Sequence, residues 1–349
     1  MEKVIDIKKL VRPNVLALQA YSSARDEYTS EGSKMIFLDA NENPNESGVN
    51  RYPDPQQKKL KAKLSEIKNI PSKNILLGNG SDEVLDLIYR AFCEPALDNI
   101  ITLPPTYGMY NVLAGINNVE SREVLLTEDF QPNIDGILNN VDKNTKLIFL
   151  CSPNNPTGNS FSRIKITEIL EKFESLVVID EAYIDFSEQA SWIEELEKYP
   201  NLIITQTLSK AFGMAGIRLG ICYASEEIIA VLNKIKPPYN VNELTQNRAQ
   251  YRLQNIAEVN SEISDILEQR EVLSKALLEV EFIDRIYKSD ANFVLVRVDD
   301  ASKRYDQLLD KGVVIRNRTN QPLCENTLRL TIGTKDENLK LIKVLKSLD

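Results

Sequence analysis

The sequence contains no histidine. That absence excludes Ser-His-Asp and Cys-His nucleophilic systems, histidine metal sites and histidine general bases. Proton transfer must fall to lysine, aspartate, glutamate, tyrosine, cysteine or a cofactor. Cysteine is scarce too. Cys93, Cys151, Cys222 and Cys324 show no CxxC spacing. Each lies in or near an apolar run, which predicts buried reduced thiols and no metal site. No apolar stretch approaches the ~20 residues of a membrane span, and the opening MEKVIDIKKLV has no signal-peptide core. The expectation is a soluble cytoplasmic protein. Basic residues are outnumbered, 42 against 51, for a net charge of −9. Nucleic acid and anionic membranes are therefore not expected partners, although a local basic pocket for a small anion remains possible.

What is present describes a packed α/β protein. At 349 residues the chain has room for roughly two domains, and its 42% apolar and 27% charged content is that of a globular protein. Short apolar runs at 74–77, 99–103, 119–126, 146–151, 176–179, 202–205 and 219–223 read as strands, and a further short strand is expected at 35–38. The core runs lack alternation, as in a largely parallel sheet covered on both faces. Helical segments alternate with them. Pro237-Pro238 marks a candidate boundary, followed by one long amphipathic helix bearing Ile256, Val259, Ile263, Leu267, Leu273 and Leu277. Strand, helix, Gly312 as helix stop, two strands and a final helix complete a smaller α+β unit. The expected division is an arm over 1–45, a large domain over 46–236 and a small domain over 237–349.

Residues 201–218, NLIITQTLSKAFGMAGIR, organise the chemistry. A buried strand runs into Thr207 and Ser209, then Lys210, and Arg218 follows eight residues later. A surface lysine at a strand–loop junction would also give this pattern. Other polar residues share the placement, however. The Gly80-Ser81-Asp82 turn, Tyr107, Asn155, Asp180 and Tyr183 all fall just after strand C-termini, where ligands bind in open α/β sheets. The set suits pyridoxal 5′-phosphate. Lys210 can form a Schiff base with its aldehyde and later act as the base at the substrate α-carbon. Asp180 can keep the pyridine nitrogen protonated, though it would serve equally as a helix N-cap. Asn155 and Tyr183 can donate to the 3′ oxygen, and Tyr107 can stack on the ring. Thr207, Ser209, Arg218 and the Gly80-Ser81-Asp82 amides can hold the phosphate.

Asn155-Pro156-Thr157-Gly158, Asp180-Glu181-Ala182-Tyr183 and Ser209-Lys210 through Ile217-Arg218 together resemble the fold-type-I aminotransferases. The resemblance is greatest to the histidinol-phosphate aminotransferase family, through Tyr21-Ser22-Ser23-Ala24-Arg25, Leu38-Asp39-Ala40-Asn41-Glu42-Asn43-Pro44, Arg51-Tyr52-Pro53-Asp54, Asn292 to Arg297, Arg316-Asn317-Arg318 and Leu328 to Gly333. It implies a fold-type-I architecture and transamination between histidinol phosphate and 2-oxoglutarate, yielding imidazole acetol phosphate and glutamate. It also implies a homodimer in which Tyr52 reaches the partner's cofactor phosphate, and substrate binding by Tyr21, Arg316 and Arg329. Two arginines suit a phosphate ester or a dicarboxylate, which guanidinium groups bind bidentately. An aromatic amino-acid aminotransferase or a phospho-amino-acid decarboxylase of the same fold would share these residues. A non-catalytic binding protein would not need Lys210. Replacing Lys210 with alanine should abolish turnover with no change in the circular dichroism spectrum; an unfolded variant would make the lysine structural instead.

Overall fold

The computed structural model describes residues 5–19 and 36–348. The apolar runs form a seven-stranded sheet: β1 (Ile75–Asn79), β2 (Asn99–Thr102), β3 (Glu120–Glu123), β4 (Thr145–Cys151), β5 (Leu176–Asp180), β6 (Leu202–Thr207) and β7 (Leu219–Ala224). Their order is β1-β7-β6-β5-β4-β2-β3. Only β7 runs against its neighbours; β2, β3, β4, β5 and β6 pair in parallel.

The missing alternation has the expected cause. In β4, Ile148 and Leu150 enter one apolar core, while Leu147, Phe149 and Cys151 enter the other. β5 and β6 divide their side chains in the same way. Successive strand residues face opposite sides, so a sheet with a core on each face must be apolar at every position. Edge strand β3 is exposed or half-buried throughout, in keeping with its sequence Glu-Ser-Arg-Glu. All four cysteines are free and buried, as expected.

A four-stranded antiparallel sheet follows: β8 (Ile283–Ile286), β9 (Phe293–Val298), β10 (Arg316–Asn317) and β11 (Thr327–Thr331), ordered β10-β11-β9-β8. One face, with Val294, Val296, Val298, Leu328 and Leu330, packs on the long helix Ile256–Leu277 and the last helix Lys335–Lys346. The other face, with Phe293 and Leu295, joins the core of the large sheet. It therefore turns Arg329, between Leu328 and Leu330, toward the large sheet.

The strand expected at 35–38 is not formed: residues 36–38 carry no regular structure, and Met35 lies outside the described residues. Ile36 and Leu38 are largely exposed, so no core holds this segment extended. The helix Glu243–Gln254 and the strand β8 went unforeseen. Glu243–Gln254 has few apolar residues, which leaves little periodic signal, and it packs back on the helix Lys58–Lys68. Among the described residues, no helix is long and apolar enough to cross a membrane.

Gly220 ties the sheet to the helix Gly80–Phe92. A Cβ there would lie 2.3 Å from the Gly80 carbonyl carbon and the Ser81 nitrogen, both backbone atoms that cannot yield. Gly220→Ala should cost roughly 1–3 kcal/mol of stability, the usual penalty of overpacking. A urea midpoint unchanged from wild type would show that the helix start can shift.

Candidate active site

One cleft gathers Ser81, Asp82, Tyr107, Cys151, Asn155, Asp180, Ala182, Tyr183, Thr207, Ser209, Lys210 and Arg218. These residues come from five separate strand ends. The parallel sheet brings them together because each strand delivers its following loop to the same edge.

Asp180 is the last residue of β5, and it is 3% exposed. Its Oδ2 accepts from the Tyr110 hydroxyl at 2.8 Å, and its Oδ1 accepts from the Ala182 N–H at 3.1 Å. The second bond is a local turn cap, so the capping and site roles coexist. Burial raises the Asp180 pKa above the usual carboxylate range, and the Tyr110 and Ala182 hydrogen bonds oppose that rise. Among the described residues no cation pairs with it. Tyr110 is fully buried between Phe149, stacked at 4.9 Å, and Tyr107, edge-on at 5.6 Å. Tyr110 is the supporting residue that sequence inspection missed. No local pattern links it to a carboxylate 70 positions away.

Asn155 and Tyr183 meet as expected: Asn155 Nδ2 donates to the Tyr183 hydroxyl at 3.4 Å. Asn155 Oδ1 in turn accepts from Arg329 Nη1. Arg329 joins the small sheet to the cleft, its guanidinium 5.1 Å from the Phe293 ring. Burial first, and then the Arg318 charge, bring the Arg329 pKa down to about 10. Lys210 is exposed at the mouth of the cleft, its Nζ 5.7 Å from the Tyr183 ring centre. Its pKa is lowered, first by the surrounding protein that displaces water and then by Arg329. The neutral amine is thus more populated than in a free lysine.

The hydroxyl and arginine cluster also assembles. The Thr207 hydroxyl accepts from Ser209 N–H at 3.1 Å and lies 2.9 Å from Ser209 Oγ. Arg218 has a left-handed φ of 53° and stands 3.6 Å from Asp82, which also accepts from the Tyr107 hydroxyl at 3.1 Å. Such a conformation in a non-glycine residue is uncommon and concentrates at functional sites. The expectation for the Gly80 amide needs correction. Gly80 N–H already donates to the Arg218 carbonyl at 2.9 Å, so it has no free donor for an anion. Gly80 contributes shape: its φ is +78°, and a Cβ would lie 2.6 Å from Arg218 Nη2. The Ser81 and Asp82 amides, in the first turn of their helix, remain suitable donors.

Not every expected residue enters the cleft. Tyr52 is 50% exposed and stacks on Tyr239 at 4.5 Å, lining a separate groove with Arg51 and Asn242. Arg316 is exposed on β10, directly opposite Arg329 across the strand pair. Tyr21 lies outside the described residues.

This architecture and cleft define a pyridoxal-phosphate-dependent transferase of amino groups. A profile of the family "Aminotransferase class I and II" matches residues 26–345, and the chain belongs to that family. The chain is 65% identical to a histidinol-phosphate aminotransferase of Christiangramia forsetii, over 99% of both chains. Its fold matches the crystal structure of the histidinol-phosphate aminotransferase from Clostridium acetobutylicum with a TM-score of 0.80, at 26% identity over 86% of this chain and 91% of that one. It also matches the Sinorhizobium meliloti enzyme in complex with pyridoxal 5′-phosphate, with a TM-score of 0.78 at 25% identity, over 86% and 84% of the two chains.

The residues fit the cofactor. A buried carboxylate with no cation beside it among the described residues suits a protonated ring nitrogen, Asn155 and Tyr183 form a hydrogen-bonded pair, and Thr207, Ser209 and Arg218 line the same cleft with donors that suit a phosphate. Tyr110→Phe removes one of the hydrogen bonds that lower the Asp180 pKa, so that pKa should rise further. If Asp180 works as the carboxylate beside the ring nitrogen, activity should fall away at a higher pH on the acidic side than in wild type. An acid limb that does not move would mean Tyr110 only packs.

Proposed function

We infer that the protein transfers the amino group of L-histidinol phosphate to 2-oxoglutarate, giving imidazole acetol phosphate and glutamate, as a step in histidine biosynthesis. The substrate assignment rests on the 65% identity over 99% of both chains with a histidinol-phosphate aminotransferase. Pyridoxal phosphate supplies an aldehyde that accepts amines and a ring that withdraws electrons from the adjacent carbon. Lys210, with its depressed pKa, would hold the cofactor at its aldehyde and would move the proton at the substrate α-carbon through Nζ. Asp180, oriented by Tyr110 and Ala182, holds a proton on the ring nitrogen. Asn155 and Tyr183 orient the 3′ oxygen, and Tyr107 covers the ring. Ser81, Asp82, Thr207, Ser209 and Arg218 bind the phosphate, the first two through backbone amides.

Arg316, Arg329 and Tyr21 help bind the substrate anion. Arg329 already reaches Asn155, which supports its place beside the reacting carbon. We propose a homodimer in which Tyr52 completes the partner's phosphate site; its exposure and its distance from its own cleft support that assignment. The division into an arm (1–45), a large domain (46–236) and a small domain (237–349) belongs to the same proposal, supported by two sheets on either side of residue 237. A cytoplasmic location follows from the biosynthetic role.

A visible spectrum of the purified protein, before and after histidinol phosphate without a keto acid, tests the assignment. A yellow band that bleaches to the pyridoxamine form is expected. A yellow protein unresponsive to this donor but bleached by aromatic amino acids would overturn the substrate.

A further inference from the structure

Arg318 is a half-buried guanidinium with no side-chain partner among the described residues. Its backbone N–H donates to the Thr327 carbonyl at 2.8 Å, which carries the β10–β11 pairing one residue beyond Asn317. Two positions from Arg316, it shares that residue's face of the strand. Arg316 is in turn opposite Arg329. Three arginines are thereby drawn to one patch of the small sheet, on the face turned toward the cleft. The Nε atoms of Arg318 and Arg329 are enclosed and bond to nothing. Among the described residues no carboxylate pairs with any of the three, in a chain with nine more acidic than basic groups.

The three charges act on one another and on the cleft. Burial and then Arg316 lower the pKa of Arg318. Arg329 and Arg318 both favour the ionised form of the Tyr183 hydroxyl, against its burial. Arg318 is thus within electrostatic reach of the wall of the active site. Enclosed cations with no counter-ion are unfavourable unless a ligand supplies the missing charge.

Counting donors identifies that ligand. A dicarboxylate carries two single charges, and one guanidinium fork satisfies each. A phosphate monoester concentrates close to two charges on three acceptor oxygens, and it can engage further forks. Arg329 has one N–H committed to Asn155. Arg316 and Arg318 keep their side-chain donors free among the described residues.

We propose that Arg318 is a specificity-determining residue that binds the phosphate ester of the amino donor and discriminates this dianion from a singly charged carboxylate. The proposal rests on the histidinol phosphate assignment above. Its test compares wild-type, Arg318→Gln and Arg318→Lys holoenzymes. Each is assayed for KM and kcat with histidinol phosphate and with 2-oxoglutarate, and for competitive inhibition by inorganic phosphate. Arg318→Gln should raise KM for histidinol phosphate by roughly 10–100-fold with kcat within about 3-fold, the pattern of lost binding. Inhibition by inorganic phosphate should weaken in parallel, and KM for 2-oxoglutarate should stay within about 3-fold. Arg318→Lys should recover part of the loss, since it restores charge without the fork. Equal losses toward both substrates, or no loss, would overturn the proposal, as would a lowered thermal midpoint that accounts for the whole effect. A wild-type enzyme inactive on histidinol phosphate would overturn the substrate assignment instead. Phosphate inhibition would still judge Arg318: weakening in the glutamine variant would support it, and no change would overturn it.

Discussion

A carboxylate held in the protein interior without a cation is the constraint on which the cleft depends. Asp180 ends a strand buried on both faces, and that burial raises its pKa. Two hydrogen bonds resist that, one from the turn that follows it and one from Tyr110. Tyr110 is itself fixed by stacking on Phe149, a core residue of the neighbouring strand. The electrostatics of the site are therefore continuous with the packing of the sheet.

Cations outnumber the two carboxylates of the cleft, Asp82 and Asp180. Lys210, Arg218, Arg316, Arg318 and Arg329 gather at the cleft and on the small-sheet face beside it, in a chain whose net charge is −9. Burial first, and then their mutual repulsion, lower the pKa of Lys210 and Arg329. The same field serves two purposes. It keeps an amine neutral enough to act as a base, and it leaves guanidinium groups unsatisfied until an anion arrives. An acidic surface elsewhere does not cancel it, because salt and water screen distant charges within about 10 Å.

The two sheets make this possible by dividing the work. The parallel sheet presents its loops at one edge, which collects the residues for a cofactor. One face of the antiparallel sheet is apolar, and on the face turned toward the large sheet Phe293 and Leu295 share the surface with arginines and with the threonines of β11. Arg329 bridges the two through Asn155, so a group bound to Arg329 is held in register with the cleft.

Much of this was legible in the sequence. Unalternating apolar runs imply a sheet covered twice, and polar residues directly after them imply a shared edge, because strand geometry forces both outcomes locally. The positions of Lys210, Asp180, Asn155, Tyr183 and Arg218 followed from that logic together with a family resemblance. The failures were also local. Residues 36–38 had strand composition but no core to pack against, and the polar helix Glu243–Gln254 gave no periodic signal. What the sequence determined by itself was the chemistry carried at each strand end. Only the tertiary structure decided that Tyr110 supports Asp180, that the Gly80 amide is already spent on Arg218, and that Arg318 joins two other arginines without a counter-ion. The first two depend on contacts between segments far apart in the chain, and the third on the pairing of β10 with β11, and no local pattern encodes any of them.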